Sequence, residues 1–425
     1  MARLPHLANK IPWNALASNF RWVLAKQVPK PIYQSEPVFN GELQLRCQLG
    51  QGEQLHSFVD AMVRTLREHS TSYRKKYPER YEPAHPHEII IDDATVRKIT
   101  PTVYRWCSSM LCPIPHEERR AAAFYRERVD NDCMQFEQEN GRPFYNIELV
   151  KTLLLYGEMD IILRLCAYPE VDLRIWQTIG QCYCLEDDAG WDLIYKTALL
   201  PYIALNLIHC FPETWDRELG RTDEKDYRRM RAYSVMVNEF TEAKAMTSKV
   251  AAHPHWEFFG INERDRYINS DQPENPRGQG LYTSRSATMD ERLTRDPLTA
   301  DLPTPSDTLR TQQILRDKGL PAELVSEIMD TAEYGPIARL EIRHDPFHPA
   351  NRDELAKYVK YCWQLLVRCD MMATALGRVI PWHELISNAM AYRLIGDGPD
   401  GRKWFTTDYR KSLKDENAWT YTFLY

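Results

Sequence analysis

Residues 153–188 read LLLYGEMDIILRLCAYPEVDLRIWQTIGQCYCLEDD, and this stretch decides which fold the sequence predicts. Its first half has the apolar composition of a buried helix, yet it carries Tyr156, Glu158 and Asp160. Its second half, residues 171–183, is rich in β-branched and aromatic residues, which is typical of a strand. Titratable groups on apolar elements are costly to bury, so these positions are candidates for a functional site.

The composition predicts an ordinary globular chain with more than one domain. The chain has 425 residues, of which 43% are hydrophobic and 27% charged, and its net charge is -6. The acidic balance excludes a molecule that is a cationic nucleic-acid binder as a whole. Ten cysteines without a CxxC pair, and no secretory leader, indicate a reduced, cytoplasmic protein. The most apolar run, residues 199–211, is too short and too interrupted to span a bilayer.

Upstream of the opening stretch, the pattern predicts a strand, a turn and a helix. Residues 41–47 (GELQLRC) alternate as a strand does, Gly50 and Gly52 mark a turn, and residues 55–66 have helical spacing. This unit is typical of a doubly wound α/β domain, in which ligands bind beyond the carboxyl ends of the strands. The two glycines lack the third member of a dinucleotide fingerprint, so a plain tight turn is an equally good interpretation.

A second strand is predicted at residues 87–93 (HEIIIDD), ending at Asp92 and Asp93. The expected fold is therefore α/β, with a Rossmann-like catalytic domain followed by a mainly helical C-terminal domain. Proline, glycine and hydroxyl residues accumulate at 269–307, which is typical of a linker. The predicted divisions are an N-terminal arm at 1–37, the catalytic domain at 38–268, the linker at 269–307 and the helical domain at 308–425.

The C-terminal part is the most regular in its periodicity. Residues 352–376 form a predicted long helix that Gly377 ends. Its apolar stripe consists of Leu355, Val359, Cys362, Trp363, Leu366, Cys369 and Ala373. We expect this domain to pack on the catalytic domain through such faces.

Basic residues cluster in two places despite the acidic total. One cluster includes Arg74, Lys75 and Lys76, and the other, on a predicted charged helix at residues 116–136, includes Arg119 and Arg120. Such runs are usually solvated helix faces, and their functional alternative is a phosphate-contacting patch.

The order of the elements from 41 to 188 resembles that of the tRNA-dependent cyclodipeptide synthases. In that family a first strand ends at a nucleophilic serine, and Cys47 stands at the matching place here. The family then has a helix with a tyrosine and, four residues on, a glutamate. Tyr156 and Asp160 have that spacing, with Glu158 as a rival for the acid, and Tyr183 matches a tyrosine that ends a later strand.

Residues 320–377 are similar to proteins of filamentous fungi, which points to the fungal arginine-containing cyclodipeptide synthases. The resemblance implies a Rossmann-like fold related to class I aminoacyl-tRNA synthetases. It also implies a reaction that joins arginine from arginyl-tRNA with a second aminoacyl group to release a diketopiperazine. The expected partners are therefore aminoacyl-tRNAs, and neither a membrane nor DNA is expected. No metal is expected either. No cofactor is expected, because the aminoacyl ester is already activated.

The resemblance further implies roles for individual residues. Cys47 would take the first aminoacyl group covalently, Asp160 would orient and deprotonate the second amine, and Tyr156 and Tyr183 would position it. The implied substrate contacts are Gly50 and one or other of the acidic pairs Asp92 with Asp93 and Asp187 with Asp188, and the implied tRNA contacts are Arg74, Lys75, Lys76, Arg119 and Arg120.

Structural interpretations compete with each of these roles. Cys47 is equally explained as a buried hydrophobic residue, the tyrosines as capped core residues and Asp187 as a helix N-cap. Two other functions also remain open. Residues 320–329 (LPAELVSEIM) resemble the start of an F-box, as in a ubiquitin-ligase adaptor. Asp187, Asp188 and Asp192 are spaced like the magnesium-binding motif of a class I terpene cyclase.

Overall fold

A computed structural model describes residues 10–24, 41–46, 51–110, 119–126, 141–168, 173–178, 190–239, 249–260, 305–332, 339–390, 405–407 and 421–423. Most of these residues are helical. The helices are α1 (Trp13–Ala17), α2 (Gln51–Arg74), α3 (Asp93–Met110), α4 (Gly141–Tyr156), α5 (Met159–Cys166), α6 (Asp192–His209), α7 (Arg231–Glu239), α8 (Lys249–Phe259), α9 (Pro305–Asp317), α10 (Ala322–Thr331), α11 (Arg352–Ala375) and α12 (Trp382–Asn388). The strands are β1 (Phe20–Leu24), β2 (Gly41–Leu45), β3 (Phe405–Thr407) and β4 (Tyr421–Phe423).

The core is organised around α6 and α11, which pack along each other. Almost every residue of α6 is buried, because its sequence is apolar on all sides. The predicted apolar stripe of α11 is confirmed, since all seven of its residues are buried. Trp363 of α11 lies 5.0 Å from the ring of Tyr202 on α6 and donates its indole N–H to His69 Nδ1 of α2 over 3.0 Å.

The helical character predicted for the C-terminal part is confirmed, and α11 has nearly the predicted bounds. Gly377 has a φ of 67°, the left-handed conformation that a glycine adopts readily after a helix. The helix packs against α2 and α6, as the width of its apolar face leads one to expect. The domain boundaries themselves stay a prediction.

The predicted Rossmann-like sheet is not found among the described residues. Strand β2 confirms the strand predicted at 41–47, but it pairs antiparallel with β1, from Phe20↔Leu45 to Leu24↔Gly41. Its partner therefore comes from the predicted N-terminal arm, directly before it along the chain. The second sheet pairs β3 with β4, also antiparallel. Such two-stranded sheets are made by neighbouring segments and need no crossover helix.

The second predicted strand, at 87–93, is wrong. Ile89 forms one isolated antiparallel bridge with Ala121, and the chain then enters α3 at Asp93. Ile90 and Ile91 are buried whereas Ile89 is 55% exposed, so this short apolar run is an anchor and not a strand. The periodicity of three consecutive isoleucines cannot distinguish a strand from a short buried anchor.

Two further predicted elements differ from the structure. Within the predicted strand at 171–183, residues 173–178 contain the 3₁₀ turn Ile175–Gln177, and the rest lies outside the described residues. Within the predicted helix at 116–136, residues 119–126 contain the bridge and the 3₁₀ turn Ala122–Arg126. Both predictions relied on the composition of the segment. Tertiary packing can override such a local preference.

A buried ion pair lies on α4. Lys151 Nζ donates to the carboxylate of Glu148, and at most 1% of either side chain is exposed. The second carboxylate oxygen of Glu148 has no hydrogen-bond partner among the described residues. Burial raises the pKa of Glu148, and Lys151 opposes that shift. Each charge is therefore tolerated only because of the other.

Replacing Lys151 with methionine is expected to destabilise the protein by roughly 3–5 kcal/mol, because the buried carboxylate loses its partner. The double variant Glu148→Leu with Lys151→Met is expected to regain most of that loss. The free energy of unfolding in urea measures both effects. Lys357→Met, which breaks the exposed pair with Glu354, serves as the control and should leave the midpoint unchanged. A double variant as unstable as the single one would contradict this account.

Burial also makes His255 of α8 sensitive to pH. Its Nδ1 lies 2.6 Å from the hydroxyl of Tyr358 on α11, and burial lowers the pKa of His255 to about 3. The histidine pair of residues 253–256 (HPHW) lies within α8.

Because the pKa of His255 is lower in the folded protein, the unfolded chain binds more protons between pH 3 and 6.5. The stability from this residue is complete above pH 6.5 and is lost as the pH falls. Between pH 7 and 5 the loss is about 2 kcal/mol. Urea unfolding of His255→Gln should show a pH dependence weaker by this amount. An equal pH dependence in both proteins would contradict the assignment.

Candidate functional site

The chain turns sharply between α4 and α5. The amide of Glu158 donates to the carbonyl of Leu153 over 3.0 Å, and that of Gly157 to Leu154 over 3.1 Å. Gly157 has a φ of 76°. This pair of bonds around a left-handed glycine is a Schellman motif, which ends a helix. The predicted single helix is therefore two helices, and its two candidate catalytic residues lie on opposite sides of the turn.

Side chains from α11 satisfy further carbonyl groups at this helix end. Arg368 Nη1 donates to the carbonyl oxygens of Leu154 and Leu155 over 3.0 and 2.8 Å. The hydroxyl of Tyr361 donates to Leu155 as well, over 3.1 Å. A guanidinium is favourable here because the carbonyl end of a helix carries partial negative charge.

Asp160 lies in the first turn of α5 and is exposed. Its Oδ1 accepts a hydrogen bond of 2.5 Å from the hydroxyl of Tyr81. Burial and then this hydrogen bond raise the pKa of Tyr81 well above its ordinary value, so the phenol stays a donor at neutral pH. The guanidinium of Arg74 lies 5.9 Å from the centre of the same ring.

Tyr156 and Glu158 are held by α3. The hydroxyl of Tyr156 lies 2.8 Å from Oγ1 of the buried Thr102. The ammonium of Lys98 pairs with the carboxylate of Glu158 and reaches the carbonyl oxygen of Tyr156 over 3.4 Å. Two hydroxyls, a carboxylate and an ammonium group thus converge where α3 meets the end of α4.

Tyr77 lies within electrostatic range of three of these charged groups. Burial raises the pKa of Tyr77, Arg368 lowers it, and the carboxylates of Asp160 and Glu158 raise it further. A single phenol therefore senses both acids and the guanidinium. We call the following set the junction site: Tyr77, Tyr81, Lys98, Tyr156, Glu158, Asp160 and Arg368.

The junction site has the groups needed for proton transfer and for binding a polar ligand. Asp160 is an exposed carboxylate that can accept a proton or a donor N–H, and Tyr81 fixes the orientation of one of its oxygens. Tyr156 contributes a half-buried hydroxyl that can donate or accept. The sequence predicted Tyr156 and Asp160, and the structure brings both to one region.

Asp92 and Asp93 have structural partners at the start of α3. Oδ1 of Asp92 accepts the amide of Thr95 over 2.7 Å, as an N-cap residue does, and this hydrogen bond lowers the pKa of Asp92. Asp93 pairs with Arg120 over 2.6 Å. Neither carboxylate lies in the junction site as we define it.

The two basic clusters differ in accessibility. Arg119 is 1% exposed, so a phosphate cannot reach it, and the predicted tRNA contact at this residue is wrong for this structure. Arg120 donates to the carbonyl oxygen of Ile91 over 2.8 Å and anchors the loop before α3. These two arginines are therefore not part of a solvated helix face, because Arg119 is buried and Arg120 bonds the backbone.

In the other cluster, Lys75 and Lys76 are exposed at the end of α2. Lys76 Nζ lies 4.0 Å from the ring centre of the exposed Tyr73. Arg74 donates to the carbonyl oxygens of Pro78 and Glu79 and so closes the loop after α2. The two lysines are available to an anionic partner, whereas Arg74 also has a structural task.

Five predicted site residues lie outside the described residues, and their roles stay predictions. These residues are Cys47, Gly50, Tyr183, Asp187 and Asp188. Asp192, the last member of the possible terpene-cyclase motif, is buried and pairs with Lys196 over 2.7 Å. In the described ranges, no group of three or more His, Cys, Asp or Glu residues could hold a metal ion.

Sequence reasoning missed four members of the junction site: Tyr77, Tyr81, Lys98 and Arg368. The two tyrosines carry a weak signal, because they are spaced by four residues within the basic run YRKKYPERY at 73–81. Lys98 and Arg368 carry none, since each acts on backbone or side-chain groups far away in sequence.

A family model for the gramillins biosynthetic cluster protein GRA5 matches residues 14–405. The chain therefore belongs to this family, and its place is in secondary-metabolite biosynthesis. Searches of curated proteins and of solved structures found no match. Among the residues that the structure describes, no helix has the length and apolarity to cross a membrane.

The Tyr81–Asp160 hydrogen bond is expected to stabilise the junction site measurably. A cycle of Tyr81→Phe, Asp160→Ala and the double variant should show a coupling free energy of about 1 kcal/mol in urea unfolding. The control cycle combines Asp160→Ala with Gln313→Ala on α9, whose side chain bonds Asp317 of its own helix, and the two free-energy changes should be additive. A coupling no larger than that of the control would show that the bond is absent in solution.

Proposed function

We propose that this protein is a tRNA-dependent cyclodipeptide synthase of secondary metabolism. It joins arginine from arginyl-tRNA with a second aminoacyl group to form an arginine-containing diketopiperazine. Membership of a biosynthetic cluster family supports the metabolic setting. One observation supports the activity more than any other: the hydrogen bond from Tyr81 to Asp160 joins a basic, tyrosine-rich segment to an acid–hydroxyl site.

The segment 73–81 has the composition of a contact for single-stranded nucleic acid. Tyr73 is exposed, and Lys75, Lys76 and Arg80 are exposed around it. Bases stack on such rings while the cations meet the phosphates. The segment ends at Tyr81, so an acyl group at the end of a bound strand would be delivered to the junction site.

The junction site supplies the acid–base chemistry for forming an amide from an ester. The neutral amine of one aminoacyl group attacks the ester carbonyl of the other, and Asp160 accepts the proton that the amine loses. The ester C–O bond then breaks, and the same proton passes from Asp160 to the tRNA oxygen, which leaves as a hydroxyl. The hydroxyls of Tyr81 and Tyr156 orient the amine. The second amide forms in the same way and closes the ring. In the covalent version, Cys47 holds the first aminoacyl group as a thioester.

The described residues form no parallel sheet of the kind that the resemblance implies. The support for the proposal therefore comes from the site residues and from the family, and not from the fold. The partners in this proposal are arginyl-tRNA and a second aminoacyl-tRNA. Its location is the cytoplasm, where these partners occur.

The purified protein, incubated with arginyl-tRNA and a mixture of other aminoacyl-tRNAs, is expected to release arginine-containing diketopiperazines detectable by mass spectrometry. Asp160→Asn should lower turnover about 100-fold or more, because the base is lost. Glu354→Gln, which changes a partly exposed carboxylate on α11, is the matched control and should leave turnover unchanged. Absence of an arginine-containing product while the substrates remain intact would refute the activity. Unchanged turnover in Cys47→Ala would remove only the covalent step.

An F-box-like adaptor is the second candidate, and one observation favours it. The pair α9 and α10 presents four exposed apolar residues, Leu309, Ile314, Leu324 and Ile328. Two of them belong to the segment that resembles an F-box, and such a patch is typical of a protein contact. Recovery of the ligase subunit that binds F-boxes in a pull-down with the wild-type chain, and not with Leu324→Asp, would support this alternative.

A further inference from the structure

Arg368 of α11 occupies the space beside Gly157. A Cβ atom added to Gly157 would lie 2.7 Å from Nη2 and 2.9 Å from Cζ of Arg368. Position 157 is therefore restricted to glycine twice, by its φ of 76° and by the guanidinium that fills the adjoining volume. Any side chain at 157 would therefore require the guanidinium to shift.

A second residue of α11 acts at the same place. Tyr361 lies two helical turns before Arg368 and so on the same face of α11. Its hydroxyl bonds the carbonyl of Leu155, and the guanidinium lies 5.9 Å from its ring centre. The aromatic ring and the carbonyl groups hold the guanidinium between them.

We infer that Arg368 is a positioning residue that α11 contributes to the junction site, so that the C-terminal helix is part of the site. The guanidinium bonds the carbonyls of Leu154 and Leu155 and fixes the last turn of α4. That turn determines where Tyr156 is held and where α5 begins, one residue before Asp160.

The inference deepens the proposed function. Of its two measurements, only that of kcat rests on the proposed function, whereas the measurement of hydrogen exchange does not. It also explains why a helix so distant in sequence lies next to the candidate catalytic residues. A residue that merely stabilised the fold would act equally on all parts of the core. A positioning residue acts on the order of the junction and on turnover, and it leaves the segment 73–81 able to bind nucleic acid.

The test compares Arg368→Ala with the wild type and with Arg378→Ala, in which an arginine that bonds Gln177 is removed from the turn after α11. Hydrogen exchange of the backbone amides at 153–162 should become about tenfold faster in Arg368→Ala, because capping hydrogen bonds are lost. Methylguanidinium in the buffer should restore the slow exchange by filling the vacated space. Arg368→Lys should restore it only in part, since an ammonium lacks the planar fork.

In the diketopiperazine assay, Arg368→Ala should lower kcat about tenfold or more while the KM for arginyl-tRNA stays the same. Gly157→Ala should accelerate exchange in the wild type, and this effect should be smaller in the Arg368→Ala background, where no guanidinium is displaced.

Three outcomes would overturn the inference: unchanged exchange at 153–162 in Arg368→Ala, faster exchange to the same degree in Arg378→Ala, or faster exchange without a change in kcat. A wild-type protein without turnover would refute the proposed function alone. In that event the exchange rates, their rescue by methylguanidinium and the Gly157→Ala comparison would still decide whether Arg368 orders the junction.

Discussion

Every carbonyl oxygen in the last turn of α4 needs a hydrogen-bond donor, and the way these donors are found shapes the rest of the molecule. The backbone amides of the left-handed Gly157 and of Glu158 donate to the carbonyl oxygens of Leu154 and Leu153. From α11, Arg368 donates to Leu154 and Leu155, and Tyr361 donates to Leu155. From α3, Lys98 reaches the last carbonyl oxygen, that of Tyr156. Because buried polar backbone groups are rarely left unpaired, α4 can end here only if α3 and α11 are both in place. The same requirement gathers the side chains of the candidate site.

The polar groups on α4 have different relations to solvent at the two ends of the helix. Near its middle, Glu148 and Lys151 are fully buried and neutralise one another inside an apolar core. Tyr156 at its end and Glu158 just beyond it are only partly buried, and they meet solvent beside the exposed Asp160. A fully buried ion pair such as Glu148 with Lys151 costs stability and favours a single arrangement of the core. Partly exposed charges keep the solvation that a proton-transfer site needs, since a fully buried carboxylate would be shifted towards its neutral form.

Sequence reasoning located this region but not its geometry. Tyr156 and Asp160 were predicted because polar residues on apolar elements are expensive, and that cost is a property of composition. The periodic stripe of α11 was predicted for the same local reason. The break at Gly157 was missed because an isolated glycine is compatible with a helical pattern. The Rossmann-like sheet was predicted from β-branched runs such as residues 89–91, whose role as anchors depends on tertiary packing. Arg368 was missed because its partners lie more than two hundred residues away.

The acidic total charge does not conflict with binding a nucleic acid, because screening confines electrostatic attraction to about 10 Å at ordinary ionic strength. What matters is the charge along the path of the strand. The exposed cations Lys75, Lys76 and Arg80 precede Tyr81, and the carboxylate of Asp160 follows it across one hydrogen bond. A polyanion bound along this segment would be attracted by the cations and repelled by the carboxylate. In the proposed reaction, the phosphates would then lie along Lys75, Lys76 and Arg80, and the aminoacyl group at the end of the strand would reach Asp160.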